Sequence, residues 1–195
     1  MDETDRQPHG GRGARERILW AAAKLFYLEG INATGLERLT DVAHVSKRTF
    51  YKHFPSKDAL VEAYLRRFHY ETPLSRTQVL DDESLTPRER LLALFEPPTP
   101  GTALRGCPFH NAAVEICDIE TPVRTLVAEY KEAFADRLAA TAAEAGASNP
   151  RTLGRQLNLL FEGVTALSTS KNSADVFTDA HTTAEILLDA SLSTS

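Results

Sequence analysis

The chain has 195 residues, of which 42% are hydrophobic and 25% charged, and its formal net charge is -5. This composition is typical of a globular protein whose core fills one large or two small domains. No run of about 18 apolar residues could span a bilayer, and the polar start MDETDRQPHGGRGAR lacks the apolar segment of a signal peptide. We therefore expect a cytoplasmic protein without membrane contact.

Charge is distributed unevenly along the chain. Residues 12–70 carry 11 Lys and Arg against 6 Asp and Glu, whereas residues 71–195 carry 10 basic against 18 acidic side chains. A basic N-terminal head is therefore joined to an acidic body. This split predicts that only the head faces a polyanion.

Helical periodicity runs through most of the chain and strand signals are nearly absent, so the predicted fold class is all-α. Residues 1–13 offer little apolar surface to bury and are predicted to form a disordered arm. A first helix then runs to a C-terminal glycine, Gly30. Thr34 is expected to cap a short second helix, and Ser46 a third helix that ends before Pro55.

The third helix, KRTFYKHF, combines an apolar side with a cationic one. Phe50 and Phe54 lie four residues apart and can be buried together, which leaves Lys47, Arg48, Thr49, Tyr51 and Lys52 facing outward. Cationic and hydroxyl donors on a short helix, held by a tight turn to another helix, suit the DNA major groove. The alternative is a solvated face on a small helical bundle, which the charge asymmetry makes less favourable.

The segment INATGLERLTDVAHVSKRTFYKHFPSKDALVEAYL resembles the helix-turn-helix head of TetR-family transcriptional repressors, and the resemblance covers about residues 14–66. It implies that residues 46–53 enter the groove and that Thr34 and Lys57 meet phosphates. His44 stands where the family often has a turn glycine and is expected to be left-handed, while Arg48 stands where a small residue is common. The predicted DNA-binding residues are Thr34, Ser46, Lys47, Arg48, Thr49, Tyr51, Lys52, His53 and Lys57.

The rest of the chain is predicted to form a helical body. A bridging helix over about residues 56–70 begins at the cap residue Ser56, and a polar linker follows it. The predicted domains are the arm, residues 1–13, a helix-turn-helix DNA-binding domain, residues 14–54, and an effector-binding and dimerisation domain, residues 55–195.

The segment RGCPFHNAAVEICD raises the question of a metal or catalytic site. Cys107, His110 and Cys117 include ligand types that zinc prefers, but no fourth ligand is evident nearby, so two buried, unpaired thiols are the favoured interpretation. A Cys107–His110 nucleophile pair lacks an orienting third group. We therefore predict no metal site, no cofactor and no catalytic residue.

Aromatic residues on separate helices of the body predict an effector cavity, although plain core packing is an equal alternative for each of them. His110, Asn111 and Glu115 are the nearest candidates for a polar anchor. The predicted pocket residues are Phe95, Phe109, His110, Ala113, Tyr130, Phe134 and Phe161.

Two long helices are predicted to start at Pro122 and Pro150, each preceded by a capping residue, and a last helix follows. The last two helices carry more apolar residues than one core requires, including Leu159 and Ile186, and predict a homodimer. The interpretation is a regulator, a repressor that a small molecule releases from its DNA operator. A DNA-binding dimer that senses nothing is the alternative, and an enzyme built on the body is a third.

Overall fold

A computed structural model describes residues 13–71 and 74–192. Within these ranges the chain is helical and contains no strand, which confirms the all-α prediction. None of the helices in these ranges is long and apolar enough to cross a membrane. The predicted disordered arm lies outside the described residues, apart from Gly13, which precedes the first helix.

Four helices form the N-terminal part, because each buries one apolar stripe against its neighbours. Ile18, Ala22 and Leu25 on the first helix are at most 2% exposed, and Gly30 ends that helix in the left-handed conformation, as predicted, with φ of 97°. The helices are α1 (Ala14–Leu28), α2 (Leu36–Ala43), α3 (Lys47–His53) and α4 (Lys57–Arg66), and a π-helical turn, Arg67–Glu71, continues α4.

Helix starts follow the predicted capping pattern with one exception. The Ser46 hydroxyl accepts the Thr49 N–H at 3.1 Å, and the Ser56 hydroxyl accepts the Ala59 N–H at 3.1 Å, so both predicted caps are confirmed. The predicted cap role of Thr34 is wrong, because Gly35 occupies the capping position of α2 without a side-chain bond.

Six further helices follow. The expected polar linker after α4 instead contains a helical turn and a 3-10 turn, Val79–Asp81, since Thr77 and Leu80 are buried at 2% and 3% exposure. The predicted caps Thr121 and Asn149 are confirmed, because each accepts a backbone N–H of the first turn that follows it. The helices are α5 (Ser75–Gln78), α6 (Pro87–Ala93), α7 (Pro108–Glu115), α8 (Pro122–Glu144), α9 (Pro150–Lys171) and α10 (Val176–Leu192).

The chain divides into two compact units. Among the described residues, the first comprises 13–71 and 108–127, and the second comprises 74–107 and 128–192. Helix α7 thus belongs to the same unit as α1 to α4, and α8 begins in the first unit and ends in the second. The functional division into domains at residues 14–54 and 55–195 remains a prediction, because compactness and function need not share boundaries.

The core of the second unit is formed mainly by α6, α8, α9 and α10. Its buried members include Phe95, Leu138, Leu157 and Leu188. Helices α8 and α9 approach so closely that a Cβ atom on Gly154 would lie 2.7 Å from the Ala139 backbone nitrogen. Glycine therefore sets the distance between these two helices.

Candidate DNA-binding surface

The turn between α2 and α3 is held by backbone geometry and by a side chain from α1. His44 adopts the predicted left-handed conformation, with φ of 50° and ψ of 52°. The Val45 N–H donates to the Thr40 carbonyl at 3.0 Å, and the Arg17 Nε donates to the Ala43 carbonyl at 3.1 Å. Since Arg17 satisfies a carbonyl at the end of α2, it ties α1 to the end of α2, where the turn begins.

Two aromatic anchors decide which side of α3 faces outward. Phe50 and Phe54 are 1% and 3% exposed, and their ring centroids lie 6.0 Å apart. The Arg15 guanidinium lies over the Phe54 ring, 5.6 Å from its centroid. Because α3 has only seven residues, these contacts fix its rotation. The side chains left exposed are Lys47, Arg48, Tyr51 and Lys52.

Lys47 on α3 forms an ion pair with Glu37 on α2. The Lys47 Nζ lies 2.7 Å from a Glu37 carboxylate oxygen, and both side chains are exposed. The hydrogen bond from Lys47 lowers the pKa of Glu37, and the same bond raises the pKa of Lys47. The two helices of the motif are thus linked at the surface by a contact that water and salt weaken.

Lys57 is the first residue of α4 and is partly buried. Burial lowers the pKa of its ammonium, whereas the nearby carboxylates of Glu115 and Asp58 act in the opposite direction. Its place at the start of a ten-residue helix puts it beside backbone N–H groups that favour anions. Lys57 and α3 both belong to the first unit.

Of the remaining predicted contacts, Ser46 is exposed, whereas Thr34, Thr49 and His53 are less accessible. Thr34 is buried at 0% exposure, and its hydroxyl donates to the Gly30 carbonyl at 2.6 Å. The Thr49 and Ser46 hydroxyls lie 2.9 Å apart, and Thr49 and His53 are half-buried.

The predicted pocket residues fall into two groups. Phe109, His110 and Ala113 belong to the first unit. The other four lie in the second unit as an aromatic cluster, in which Phe134 lies 5.1 Å from Phe161 and 6.5 Å from Tyr130 between ring centroids, and Phe95 lies 6.3 Å from Phe161.

Sequence reasoning missed a polar group beside this aromatic cluster. Lys131 pairs with Glu162, and both side chains are about one quarter exposed, at 23% and 26%. The Lys131 Nζ lies 3.6 Å from the Cys107 Sγ, and burial raises the pKa of the neighbouring Tyr130. Lys131 and Glu162 lie on different helices, 31 residues apart in the chain, so no local sequence motif predicts the pair.

The cysteines agree only in part with the prediction. Both are free, and Cys107 is buried, but Cys117 is exposed, because it lies beyond the end of α7. The expectation of two buried thiols is therefore wrong for Cys117. Within residues 13–71 and 74–192, no group of three His, Cys, Asp or Glu side chains could hold a metal ion.

Glu115, a candidate polar anchor for the predicted pocket, binds a backbone turn in the first unit. Its carboxylate accepts the backbone N–H groups of Ile31 and Asn32, in the turn that precedes α2. These partners lie more than 80 residues away along the chain, so the sequence carries no signal for the contact. Arg17 was missed for the same reason, since its partner carbonyl is 26 residues away.

A short capped helix that is fixed by a left-handed turn and exposes cationic side chains defines a helix-turn-helix protein. Residues 18–64 match the family described as bacterial regulatory proteins, tetR family. A solved structure from Streptomyces avermitilis, described as a TetR transcriptional regulator, is 33% identical, with coverage of 92% of this chain and 98% of that one and a TM-score of 0.74. The chain therefore belongs to the TetR family of transcriptional regulators.

Two curated relatives from Escherichia coli K12 point the same way. The HTH-type transcriptional regulator YjdC is 28% identical over 178 residues, which cover 89% of this chain and 93% of YjdC. The HTH-type transcriptional repressor NemR is 31% identical over 123 residues, which cover 60% of this chain and 61% of NemR. These proteins are regulators and not enzymes, so the enzyme alternative is set aside.

Proposed function

We propose that the protein is a homodimeric repressor that binds an operator through α3 and is released by a small molecule bound in its body. The observation that carries the DNA-binding part is the exposed cationic face of α3, whose rotation is fixed by buried Phe50 and Phe54. Such a helix presents side chains to base edges, while flanking cations meet phosphates. Repression is proposed over activation because the related protein NemR is described as a transcriptional repressor.

The proposed operator contacts have two roles, which are binding phosphates and reading the base sequence. Lys57 at the start of α4 binds a phosphate and adds affinity without reading sequence. Arg48, Thr49 and Tyr51 lie on the face of α3 that enters the groove. The other proposed contacts, which fix the head on the duplex, are Thr34, Ser46, Lys47, Lys52 and His53.

A salt titration separates these roles. Lys57→Ala should weaken binding to operator and scrambled duplexes alike, and it should lower the salt slope of the binding constant by about 1 per subunit. Thr49→Ala should instead change preference at one or two base pairs, each worth roughly 1–3 kcal/mol. The measurement is fluorescence anisotropy at several salt concentrations, on an operator selected from genomic fragments.

Lys171→Ala is the control for the loss of one positive charge, because Lys171 is an exposed residue at the end of α9. It should leave the salt slope unchanged. If Lys57→Ala relaxes sequence preference while Thr49→Ala only flattens the salt slope, the proposed docking of the head is incorrect.

Dimerisation is proposed through α9 and α10. Leu159, Leu167 and Ile186 on these helices are 74%, 51% and 64% exposed in the single chain. Pairing α9 and α10 with the same helices of a second copy would cover these side chains in a four-helix interface. A two-fold dimer then presents two heads to two half-sites.

The effector is proposed to bind in the body, at the cluster of Phe95, Tyr130, Phe134 and Phe161. The neighbouring Lys131–Glu162 ion pair offers charged anchors beside the aromatic rings, which suits an amphipathic molecule. The three other predicted pocket residues, Phe109, His110 and Ala113, belong to the first unit and stay predictions from the sequence. Occupation of the pocket would shift the population of the body toward a state in which the heads no longer match the groove spacing.

Native mass spectrometry of the purified protein tests the effector proposal. We expect a fraction of the protein to carry an added small-molecule mass, and Phe134→Trp, which fills space beside Phe161, should reduce that fraction. Phe177→Trp is a matched control, because Phe177 is equally buried at 3% exposure but stacks under Arg76. A bound molecule that survives Phe134→Trp and is lost with Phe177→Trp would place the site elsewhere.

A further inference from the structure

Glu115, the last residue of α7, makes three hydrogen bonds to the turn between α1 and α2. Its carboxylate oxygens accept the N–H of Ile31 at 3.0 Å and the N–H of Asn32 at 2.7 Å. The Asn32 side-chain amide in turn donates to the Glu115 carbonyl at 3.0 Å. Bonds from backbone donors to a carboxylate are about twice as strong as neutral ones, so this contact fixes the turn against α7.

The same turn determines where α2 begins. Gly30 lies in the left-handed region with φ of 97°, and a Cβ added there would sit 3.4 Å from both Glu115 carboxylate oxygens. The buried Thr34 hydroxyl donates back to the Gly30 carbonyl, and α2 starts at Leu36. A shift of this turn therefore moves the helix that supports α3.

Helix α7 is also tied to α8. The Arg124 guanidinium donates to the Ala113 carbonyl near the end of α7, and the Thr121 hydroxyl accepts the Arg124 N–H at 3.3 Å at the start of α8. Helix α8 then continues without interruption to Glu144, in the second unit. The end of α7 is thus hydrogen-bonded both to the first turn of α8 and to the turn before α2.

Glu115 also acts on the proposed phosphate contact Lys57. Its carboxylate is close enough to raise the pKa of the Lys57 ammonium against the effect of burial. One carboxylate therefore influences two parts of the head, the start of α2 through hydrogen bonds and the start of α4 through its charge.

We propose that Glu115 is the positioning residue that couples α8 to the helix-turn-helix motif, by holding the Ile31–Asn32 backbone against the end of α7. The proposal rests on the proposed function, since coupling has meaning only if the head binds an operator. The three hydrogen bonds require their atoms to stay within a few tenths of an ångström of their present separations. A displacement of α7 must either carry the turn with it or break these bonds, which are the two arrangements that a coupling element needs.

Reciprocity provides a test that needs no effector. If the body influences operator affinity, operator binding must influence the body by the same free energy. In the wild-type protein, binding of the selected operator should slow amide hydrogen exchange in residues 128–144 of α8. In Glu115→Ala the operator should bind about tenfold more weakly, and the change in α8 exchange should disappear.

Two further variants distinguish coupling from a purely structural role. Glu115→Gln keeps one oxygen acceptor without the charge, so its operator affinity and its α8 exchange response should lie between those of wild type and Glu115→Ala. Glu120→Ala is the matched control, because Glu120 is an exposed carboxylate in the connection between α7 and α8. It should behave as wild type in both measurements.

The outcomes separate the two proposals. Absence of any selected operator for the wild-type protein would overturn the proposed function. Operator binding without a change in α8 exchange would overturn the coupling alone, and so would an exchange response that persists in Glu115→Ala. If Glu115→Ala does not fold, Glu115→Gln decides the matter, and a full wild-type response in that variant counts against the proposal.

Discussion

Leu159→Glu is expected to convert the proposed dimer into a folded monomer and to weaken operator binding by roughly 100-fold, because two linked heads gain avidity over one. Leu159 is 74% exposed on α9, so a carboxylate at this position is solvated in the single chain. At the centre of a dimer interface, the same carboxylate would be buried without a partner, which is costly. The substitution should therefore affect association and leave the fold intact.

Light scattering coupled to size-exclusion chromatography measures the mass, and circular dichroism measures the helix content. Ile119→Glu is the matched control, because Ile119 is 73% exposed but lies outside α9 and α10. It introduces the same charge on an equally exposed apolar residue and should remain dimeric. A dimeric Leu159→Glu variant together with a monomeric Ile119→Glu variant would move the interface away from the last two helices.

Gly154→Ala is expected to lower the free energy of unfolding by about 3 kcal/mol, even though alanine normally favours a helix interior over glycine. The added Cβ would lie 2.7 Å from the Ala139 backbone nitrogen and 2.8 Å from the Ala139 Cα. Both are backbone atoms of α8, so no side-chain rotation can relieve the overlap, and the two helices must separate.

Urea unfolding in the Leu159→Glu background measures this cost without a contribution from association. Gly163→Ala in the same background is the control, because a Cβ at Gly163 on the same helix would meet nothing within 4 Å. It should stabilise the chain by about 0.5–1 kcal/mol. Equal effects of the two substitutions would mean that α8 and α9 are not in close approach at Gly154.

Features that depend on neighbouring residues could be predicted from the sequence. The Ser46, Ser56 and Asn149 caps each bond an N–H three residues ahead, so their signal lies within one turn of chain. The left-handed His44 was predicted because the TetR resemblance places a turn residue at this position. The burial of Phe50 and Phe54 followed from their spacing on one helix.

Features that depend on distant residues could not be predicted. Thr34 has the side chain of a good cap, but its hydroxyl is bonded to the Gly30 carbonyl, and Gly35 takes the capping position instead. The sequence around Glu115 indicates only a polar residue on α7. The contact with the turn before α2 forms only when the chain folds. The Lys131–Glu162 pair likewise exists only after α8 and α9 pack together.

The Lys47–Glu37 ion pair has a consequence for how the protein searches a chromosome. If Lys47 contacts DNA as proposed, it exchanges Glu37 for a phosphate or a base, and this cost is the same at every position along the duplex. The cost of breaking the ion pair shortens the lifetime of each non-specific complex, in which attraction to phosphates supplies essentially all of the affinity. In the proposed operator complex, the released Glu37 carboxylate on α2 would repel phosphates but could accept a cytosine amino group. The Glu37 carboxylate thus shortens the time that the protein spends bound to non-operator DNA, and the protein moves between such sites faster.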